Sequence, residues 1–156
     1  MAVGVAFWPC FLLGAACGLR CLTPPAVVCW GAHLGWLDLA GSHLAFFASP
    51  IALVVSTILA IGEFIADKTS KVGPRTAPVG LGARIISGAL CGAALASPGG
   101  LAIGAIVAVV GAIAGTLGGF RIRRALTANG RLPDLAVALV EDIVAVGGGF
   151  LVVSRF

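Results

Sequence analysis

Charged residues are scarce in this chain. Only 10% of its 156 residues are Asp, Glu, Lys or Arg, and 60% are hydrophobic. Soluble domains have about 25% charged and 45 to 50% apolar residues. This balance excludes a water-soluble fold, because apolar runs of about 20 residues recur along the whole sequence. The composition predicts a single polytopic membrane domain over residues 1–156.

The sequence also lacks the short motifs of common metal and catalytic sites. Its five cysteines include no CxxC pair, and their odd total argues against a disulfide framework or a zinc ribbon. HExxH and GxSxG segments are absent, as is a phosphate-binding glycine loop, and the two histidines lack metal-ligand spacing. We therefore expect no enzymatic activity, no metal and no cofactor.

Basic residues outnumber acidic ones, giving a net charge of +4. In a membrane protein such an excess sets the topology and meets anionic lipid on the cytoplasmic leaflet. We therefore expect membrane lipid, and not nucleic acid, as the partner. The first stretch, MAVGVAFWPCFLLGAACG, lacks the charged start of a secretory signal, so we expect it to be a mature span.

Five apolar runs are long enough to form membrane-spanning helices: Ala2–Leu19, Leu44–Ala66, Leu81–Ser97, Gly100–Phe120 and Pro133–Val153. A sixth candidate, residues 22–40, is 19 residues long, which gives a helix of about 28 Å. Thr23 is expected to cap it. We predict an all-α membrane protein of six helices arranged as three hairpins. The alternative is five spans and a re-entrant hairpin at 22–40.

The loop charges test these two topologies. With six spans, eight basic residues fall on one side and Arg155 falls on the other, whereas with five spans Arg20 joins Arg155. The stronger asymmetry favours six spans, with a cytoplasmic basic side and both termini outside. The eight residues expected in cytoplasmic loops are Arg20, Lys68, Lys71, Arg75, Arg121, Arg123, Arg124 and Arg131.

Glycines spaced four residues apart occur in four of the six predicted helices. This spacing lets helix backbones approach closely, within a protomer or between protomers. The segment GAACGLR (14–20) also resembles GTLGGFR (115–121), which is compatible with an internal duplication. The glycine sets are Gly14/Gly18, Gly31/Gly35, Gly88/Gly92 and Gly111/Gly115/Gly119.

Ionisable residues recur at similar predicted depths in four helices. Counted from the prolines that open their helices, His33 and Glu141 both lie about 12 Å into the membrane, and Arg84 lies at about 9 Å. Glu63, counted back five residues from Lys68 on the basic side, lies at about 7 to 8 Å. Because an unpaired charge there costs at least about 2.5 to 3.5 kcal/mol, these side chains should face the interior. We expect Arg84 to neutralise Glu63, Glu141 or Asp142.

Glu141 and Asp142 are adjacent in sequence, so they lie about 100° apart around their helix. The two carboxylates therefore cannot both address one partner. At least one of them should meet water, a second cation or a proton of its own.

Two central segments, GEFIADKTSKVGPRTAP (62–78) and ARIISGALCGAAL (83–95), resemble the bacterial membrane family described as domain of unknown function 4126. GLRCLTPPAVVCW near the start extends the resemblance along most of the chain. It implies a small polytopic protein of a bacterial inner (plasma) membrane, and it implies no activity, substrate or cofactor. Residues inside the central segments, for which the family supplies no role, are Glu63, Asp67, Lys68, Arg75, Thr76, Pro78 and Arg84.

Interior acids with an arginine and a histidine favour a passage for a small solute, ion or proton. In this hypothesis Glu63, Glu141 and Asp142 bind the cation or proton, Arg84 sets their pKa or holds an anion, and His33 relays protons. A protomer this small needs a partner to enclose a path, so we expect a homodimer. The alternative is a non-transporting scaffold or assembly protein whose ion pairs lock its helices. An intramembrane lipid enzyme is the weakest hypothesis.

Overall fold

The computed structural model describes residues 7–68, 78–96, 99–128 and 132–155. All regular structure in these residues is helical, which confirms the predicted all-α class for the described part of the chain. The elements are α1 (Phe7–Leu19), α2 (Thr23–His33), a 3-10 helix (Ala45–Ala48), α3 (Pro50–Lys68), α4 (Pro78–Leu95), α5 (Leu101–Thr127) and α6 (Asp134–Val153).

Four helices, α3 to α6, are long and apolar enough to cross a membrane, and α1 is a shorter apolar helix of 13 residues. They coincide with the five clear apolar runs of the sequence. The largest difference in boundaries is in α5, which continues past the predicted end at Phe120 to Thr127.

The predicted helix over residues 22–40 is interrupted. α2 has 11 residues, which span about 16 Å, or half of a hydrocarbon core of about 30 Å. It ends at His33, and Gly35 then adopts a φ of +77°. The Trp36 N–H turns back to donate to the Gly31 carbonyl at 2.9 Å. The expectation of one continuous 19-residue helix here is therefore wrong.

Successive helices run in opposite directions, as hairpins require. α1 is parallel to α5, and α2 is parallel to α6. α3 is antiparallel to α2, and α4 is antiparallel to α1 and α5. The ends of α1, α3 and α5 and the starts of α2, α4 and α6 therefore lie together, and we call this the charged end. For the parallel pairs, the contacts are Gly14 with Ala108 and Gly18 with Ala112 between α1 and α5, and Val27 with Gly149 and Gly31 with Val153 between α2 and α6. For the antiparallel pairs, they are Cys10 with Gly92 and Cys17 with Ser87 between α1 and α4, Leu22 with Glu63 and Trp30 with Thr57 between α2 and α3, and Arg123 with Asp134 between α5 and α6.

The opposite end carries the three tryptophans, and we call it the aromatic end. Trp8 lies at the start of α1, Trp30 in the last turn of α2, and Trp36 just beyond it, edge-on to Phe150 at the end of α6. Tryptophan is enriched where a membrane protein meets the interface between lipid and water. The two ends of the bundle therefore differ in chemistry, with ion pairs at one and aromatic rings at the other.

α1 forms the centre of the bundle and packs against α4, α5 and α6. Its inward side is made of small and medium residues such as Leu13 and Cys17, both fully buried. Four of the five cysteines are buried free thiols, namely Cys10, Cys17, Cys29 and Cys91. They occupy the volume of small apolar side chains in this core.

The contact between α1 and α5 is built on glycine and is reciprocal. A Cβ on Gly14 or Gly18 would overlap the carbonyl oxygens of Ala108 or Ala112 in α5, and one on Gly111 or Gly115 would overlap those of Phe11 or Ala15 in α1. Two parallel helices related by a two-fold axis make contacts of this kind. In the structure, GAACG (14–18) packs against GAIAG (111–115). The sequence likeness instead aligns 14–20 with 115–121, so the packed segment of α5 begins four residues, about one helical turn, before the similar one.

Other glycines differ in what surrounds them. Gly92 of α4 and Gly104 of α5 face each other where these helices cross, and each would overlap the other's carbonyl if it carried a Cβ. In the GGG triplet of α6, by contrast, a Cβ on Gly147 or Gly148 would meet nothing within 4 Å. Close packing therefore accounts for Gly92 and Gly104 but not for Gly147 and Gly148.

Replacing Gly14 by alanine should destabilise the fold. The added methyl group would press on the α5 backbone, and overpacking of this kind costs about 1 to 3 kcal/mol. Gly62 of α3 has open space around its Cβ position, so Gly62→Ala should leave stability unchanged or raise it by about 0.5 to 1 kcal/mol. Thermal unfolding of the two variants in detergent measures the contrast. Equal melting temperatures would contradict the α1–α5 contact.

Candidate functional site

Seven ionisable side chains converge at the charged end. They come from the end of α1, the last turn of α3, the end of α5 and the first half of α6. Each is joined to at least one other by an ion pair of 2.5 to 3.5 Å. We call this set the charged cluster: Arg20, Asp67, Lys68, Arg123, Asp134, Glu141 and Asp142.

Arg20 is the most deeply buried member, with a side chain only 2% exposed. Its Nη2 atom lies 2.9 Å from Asp67 Oδ2 and 2.5 Å from Asp142 Oδ1. The shorter approach is an ion pair without hydrogen-bond alignment, since Asp142 Oδ1 has no hydrogen-bond donor among the described residues. The guanidinium also lies over the Phe64 ring, 5.6 Å from its centroid. One cation therefore connects α1 to α3 and α6.

The acid doublet of α6 serves two different groups of cations. The second oxygen of Asp142, Oδ2, lies 3.5 Å from Lys68 Nζ. Glu141 Oε2 instead accepts a hydrogen bond from Arg123 Nη1 at 3.3 Å. The angular argument from the sequence thus agrees with the structure, because the described ion pairs of the two carboxylates involve different cations.

Arg123 connects the buried part of the cluster to its surface. Its Nε and Nη2 atoms donate to the two oxygens of Asp134 at 2.7 and 2.6 Å, in the bidentate geometry that favours arginine over lysine. Its Nη1 atom donates to Asp67 Oδ2 at 3.2 Å as well as to Glu141. The Asp134 side chain is 64% exposed, whereas that of Glu141 is 10% exposed.

A small crevice opens onto this cluster. Its volume is about 120 Å³, and it is lined by Asp67, Lys68, Asp134, Leu135 and Ala138. Ion pairs then lead from its walls through Arg123 to Glu141, and through Lys68 to Asp142. Among the described residues, no group of three His, Cys, Asp or Glu side chains is arranged to hold a metal ion.

Glu63 has a different role from the one expected. Its carboxylate accepts hydrogen bonds from the Cys21 N–H at 2.6 Å and the Leu22 N–H at 2.9 Å, just before α2. The N-cap residue of α2, Leu22, offers no side-chain cap, and Thr23 Oγ1 has no partner among the described residues. The Glu63 carboxylate therefore accepts hydrogen bonds from backbone N–H groups at the start of α2, where Thr23 was expected to act as the cap.

His33 lies far from the charged cluster. It is exposed, stands edge-on to Trp30 with ring centroids 6.3 Å apart, and lies near the aromatic end. Val27 of α2 lies beside Gly149 of α6. Since the two helices are parallel, each residue of α2 is level with the residue of α6 that follows it by 122 positions. Equal depths for His33 and Glu141 would need 108 positions, so the expected register is wrong by 14 residues, or about 21 Å.

The register is wrong because the prolines that open the two helices are not at the same level. α2 begins beside Glu63, inside the bundle, whereas α6 begins further out, at the exposed Asp134. Counting residues from each proline assumes a common starting plane that the fold does not have.

The described ion pairs of Glu141 and Asp142 involve cations other than Arg84, which was expected to neutralise Glu63, Glu141 or Asp142. Arg84 Nη1 donates to the Gly80 carbonyl of its own helix at 3.4 Å. The described cations at Glu141 and Asp142 are instead Arg20, Lys68 and Arg123, all three of which were assigned to loops.

The remaining residues assigned to basic loops divide into two groups. Arg121 and Arg124 are exposed on α5, because this helix continues beyond Phe120. Lys71, Arg75 and Arg131 lie outside the described residues.

Two acids of the cluster, Asp67 and Asp134, were not proposed as site residues. Each adjoins a hairpin turn, in ADK (66–68) and LPD (132–134). Acids close to the turns of a hairpin protein, opposite basic residues on other turns, are the signal that could have identified them.

A family model described as domain of unknown function (DUF4126) matches residues 10–154. The chain belongs to this family. The match includes every member of the charged cluster, and it confirms the resemblance noted in the sequence. Comparisons with curated proteins and with solved structures give no match. The family description supplies no activity, so a function has to be argued from the cluster itself.

Removing the Glu63 carboxylate should destabilise the start of α2. Glu63→Ala leaves two N–H groups without their acceptor, which costs about 1 to 3 kcal/mol for a partly buried pair. Glu63→Gln keeps one acceptor oxygen and should lose less. Thermal unfolding in detergent ranks the variants, with Gly62→Ala on the same helix as the control. A Glu63→Ala variant as stable as the unchanged chain would contradict the capping role.

The Cys21 thiol should react slowly at neutral pH. Cys21 lies in the turn between α1 and α2, where burial raises the pKa of its thiol to about 11; the Glu63 carboxylate acts in the same direction and Arg84 opposes it. Because only the thiolate attacks, the rate of alkylation by iodoacetamide should rise about tenfold per pH unit from pH 7 to 10. Cys21→Ser gives the background. A rate that levels off near pH 8.5 would contradict the raised pKa.

Proposed function

We propose that the protein moves a proton, an ion or a small solute across a bacterial plasma membrane, with the charged cluster as its binding and proton-transfer site. One observation carries this proposal. An unbroken series of ion pairs leads from the crevice beside Asp134 to the buried doublet of Glu141 and Asp142. Proton and ion pathways in membranes need such a series of groups that can change charge.

The energetic argument concerns the position of the doublet. Glu141 lies seven residues beyond the start of α6, about 10 Å along the helix. The side chains of Glu141 and Asp142 are only 10% and 11% exposed. Burying charges is expensive, and a buried ion pair stabilises a fold no better than well-packed apolar residues would. A bundle that needed only rigidity could fill this position with apolar side chains. The cluster therefore favours a role in which carboxylates gain and lose charge.

In this proposal Asp142 is the group whose charge changes. A proton or cation that enters through the crevice neutralises Asp142, which removes one of the two acids that hold Arg20. The contact between α1 and α6 then weakens, while Asp67 still holds Arg20 to α3. Loss of the proton or cation restores the pair. Coupling of this kind needs no histidine, and His33 no longer belongs to the proposed pathway.

We further propose six crossings, with the charged end in the cytoplasm. α2 and the residues up to α3 would together form the second crossing, and the basic residues near the charged end would meet the rule that cytoplasmic loops are positive. A homodimer would enclose the path, since one protomer of six helices has few faces to line it.

The second candidate is a non-transporting scaffold. It is favoured by the closed arrangement of the cluster, in which Arg20, Lys68 and Arg123 already lie within ion-pair distance of the acids. In that case the same pairs would only fix the positions of α1, α3, α5 and α6, and a passage would not form.

Asp142→Asn should abolish transport by purified protein in liposomes. The amide keeps the size of the side chain but cannot take up a proton or hold a cation by charge, so flux should fall about 100-fold or more. Asp38→Asn is the matched control, because Asp38 is exposed, lies outside the charged cluster and accepts a hydrogen bond from the Ala40 N–H. Flux of protons, monovalent cations and small solutes is followed by fluorescence.

A second variant separates transport from stability. Asp142→Asn alone leaves Arg20 with one acid fewer, and breaking a buried pair costs about 3 to 5 kcal/mol. The double variant Arg20→Gln/Asp142→Asn removes both charges and should fold better than the single variant while remaining inactive. Normal flux in the folded double variant, or no flux in the unchanged protein across the screen, would rule out the transport proposal in favour of the scaffold.

A further inference from the structure

A second, larger cleft lies on the outer side of α5 near the charged end. Its volume is about 540 Å³, within the range of about 300 to 1,000 Å³ typical of small-molecule sites. Its walls combine two arginines with apolar side chains: Leu117, Phe120, Arg121, Arg124, Ala125 and Ala128. The charged cluster does not include any of these residues.

The two arginines of this cleft are directed away from the cluster. Arg121 and Arg124 are exposed and three residues apart, so they lie on one face of α5, while Arg123 lies on another face and enters the cluster. Within the described part of the chain, no ion pair joins Arg121 or Arg124 to an acid. Two adjacent positive charges therefore face outward without a counter-charge from the described residues.

The level of the cleft matches the boundary between hydrocarbon and headgroups. α5 has 27 residues and a length of about 40 Å, which exceeds the hydrocarbon core by about 10 Å. With its first residues at the aromatic end, its last seven, from Arg121 onward, project beyond the core. Leu117 lies one turn deeper than Arg121, and Phe120 one turn deeper than Arg124. Both apolar side chains are therefore at the level of the upper acyl chains.

We propose that this cleft binds an anionic phospholipid. The phosphate lies between the guanidinium groups of Arg121 and Arg124, whose planar donors suit phosphate oxygens. The glycerol and the first part of one acyl chain lie on Phe120 and Leu117. Basic pockets at this level on membrane helices bind such headgroups. A lipid is favoured over a soluble anion because four of the six lining residues are apolar. This apolar part of the lining continues into the exposed apolar side of α5.

Native mass spectrometry of the delipidated full-length protein with phosphatidylglycerol or phosphatidylcholine tests the site. Arg121→Gln and Arg124→Gln should each weaken binding of phosphatidylglycerol about fivefold and leave phosphatidylcholine unchanged. Arg155→Gln is the matched control, since Arg155 is an exposed arginine beyond the other end of α6. Both cleft arginines are exposed, so these substitutions should leave the fold intact, which thermal unfolding checks.

Two further arms distinguish the lipid from a free anion. Phe120→Ala should weaken phosphatidylglycerol binding although it changes no charge, and millimolar inorganic phosphate should fail to displace the lipid. Displacement by phosphate, or full binding by Phe120→Ala, would mean that the cleft holds a simple anion and would overturn the proposal. Equal weakening by Arg155→Gln would overturn it too, because the effect would then be one of net charge.

Discussion

The arrangement of the charged end depends on the buried guanidinium of Arg20. With only 2% of its side chain exposed, it lies between Asp67 of α3 and Asp142 of α6. In a medium of low dielectric such a cation is tolerated only with acids at contact distance. Those acids in turn draw in Lys68 and Arg123. One charge at the end of the central helix thus sets the positions of three of its neighbours.

The place of Arg20 is determined by contacts that carry no charge. α1 is held against α5 by backbone-to-backbone approach at Gly14, Gly18, Gly111 and Gly115. Without side chains between the two axes, the helices have little freedom to slide, because their carbonyl oxygens fit into each other's surfaces. Tight apolar packing at mid-bundle therefore supports the polar chemistry at its end. The cleft for lipid lies on the outer side of the same α5.

Much of this architecture follows from local pattern. The long apolar runs locate α3 to α6, and the angular separation of Glu141 and Asp142 anticipates their separate partners. The levels of helices relative to one another do not follow, because they depend on which surfaces fit. The start of α2 beside Glu63 and the extension of α5 to Thr127 are two such cases. They explain why His33 was placed too near the acids and Arg123 too far from them.

The glycine triplet of α6 has a consequence for motion. Gly147 and Gly148 have open space at the position of a side chain, so packing does not require them. Adjacent glycines loosen a helix, at about 0.5 to 1 kcal/mol each relative to alanine. The triplet lies one to two turns beyond Asp142. The triplet therefore makes α6 easier to bend between its acid-bearing first half and its last turn, where Val153 packs against Gly31 of α2.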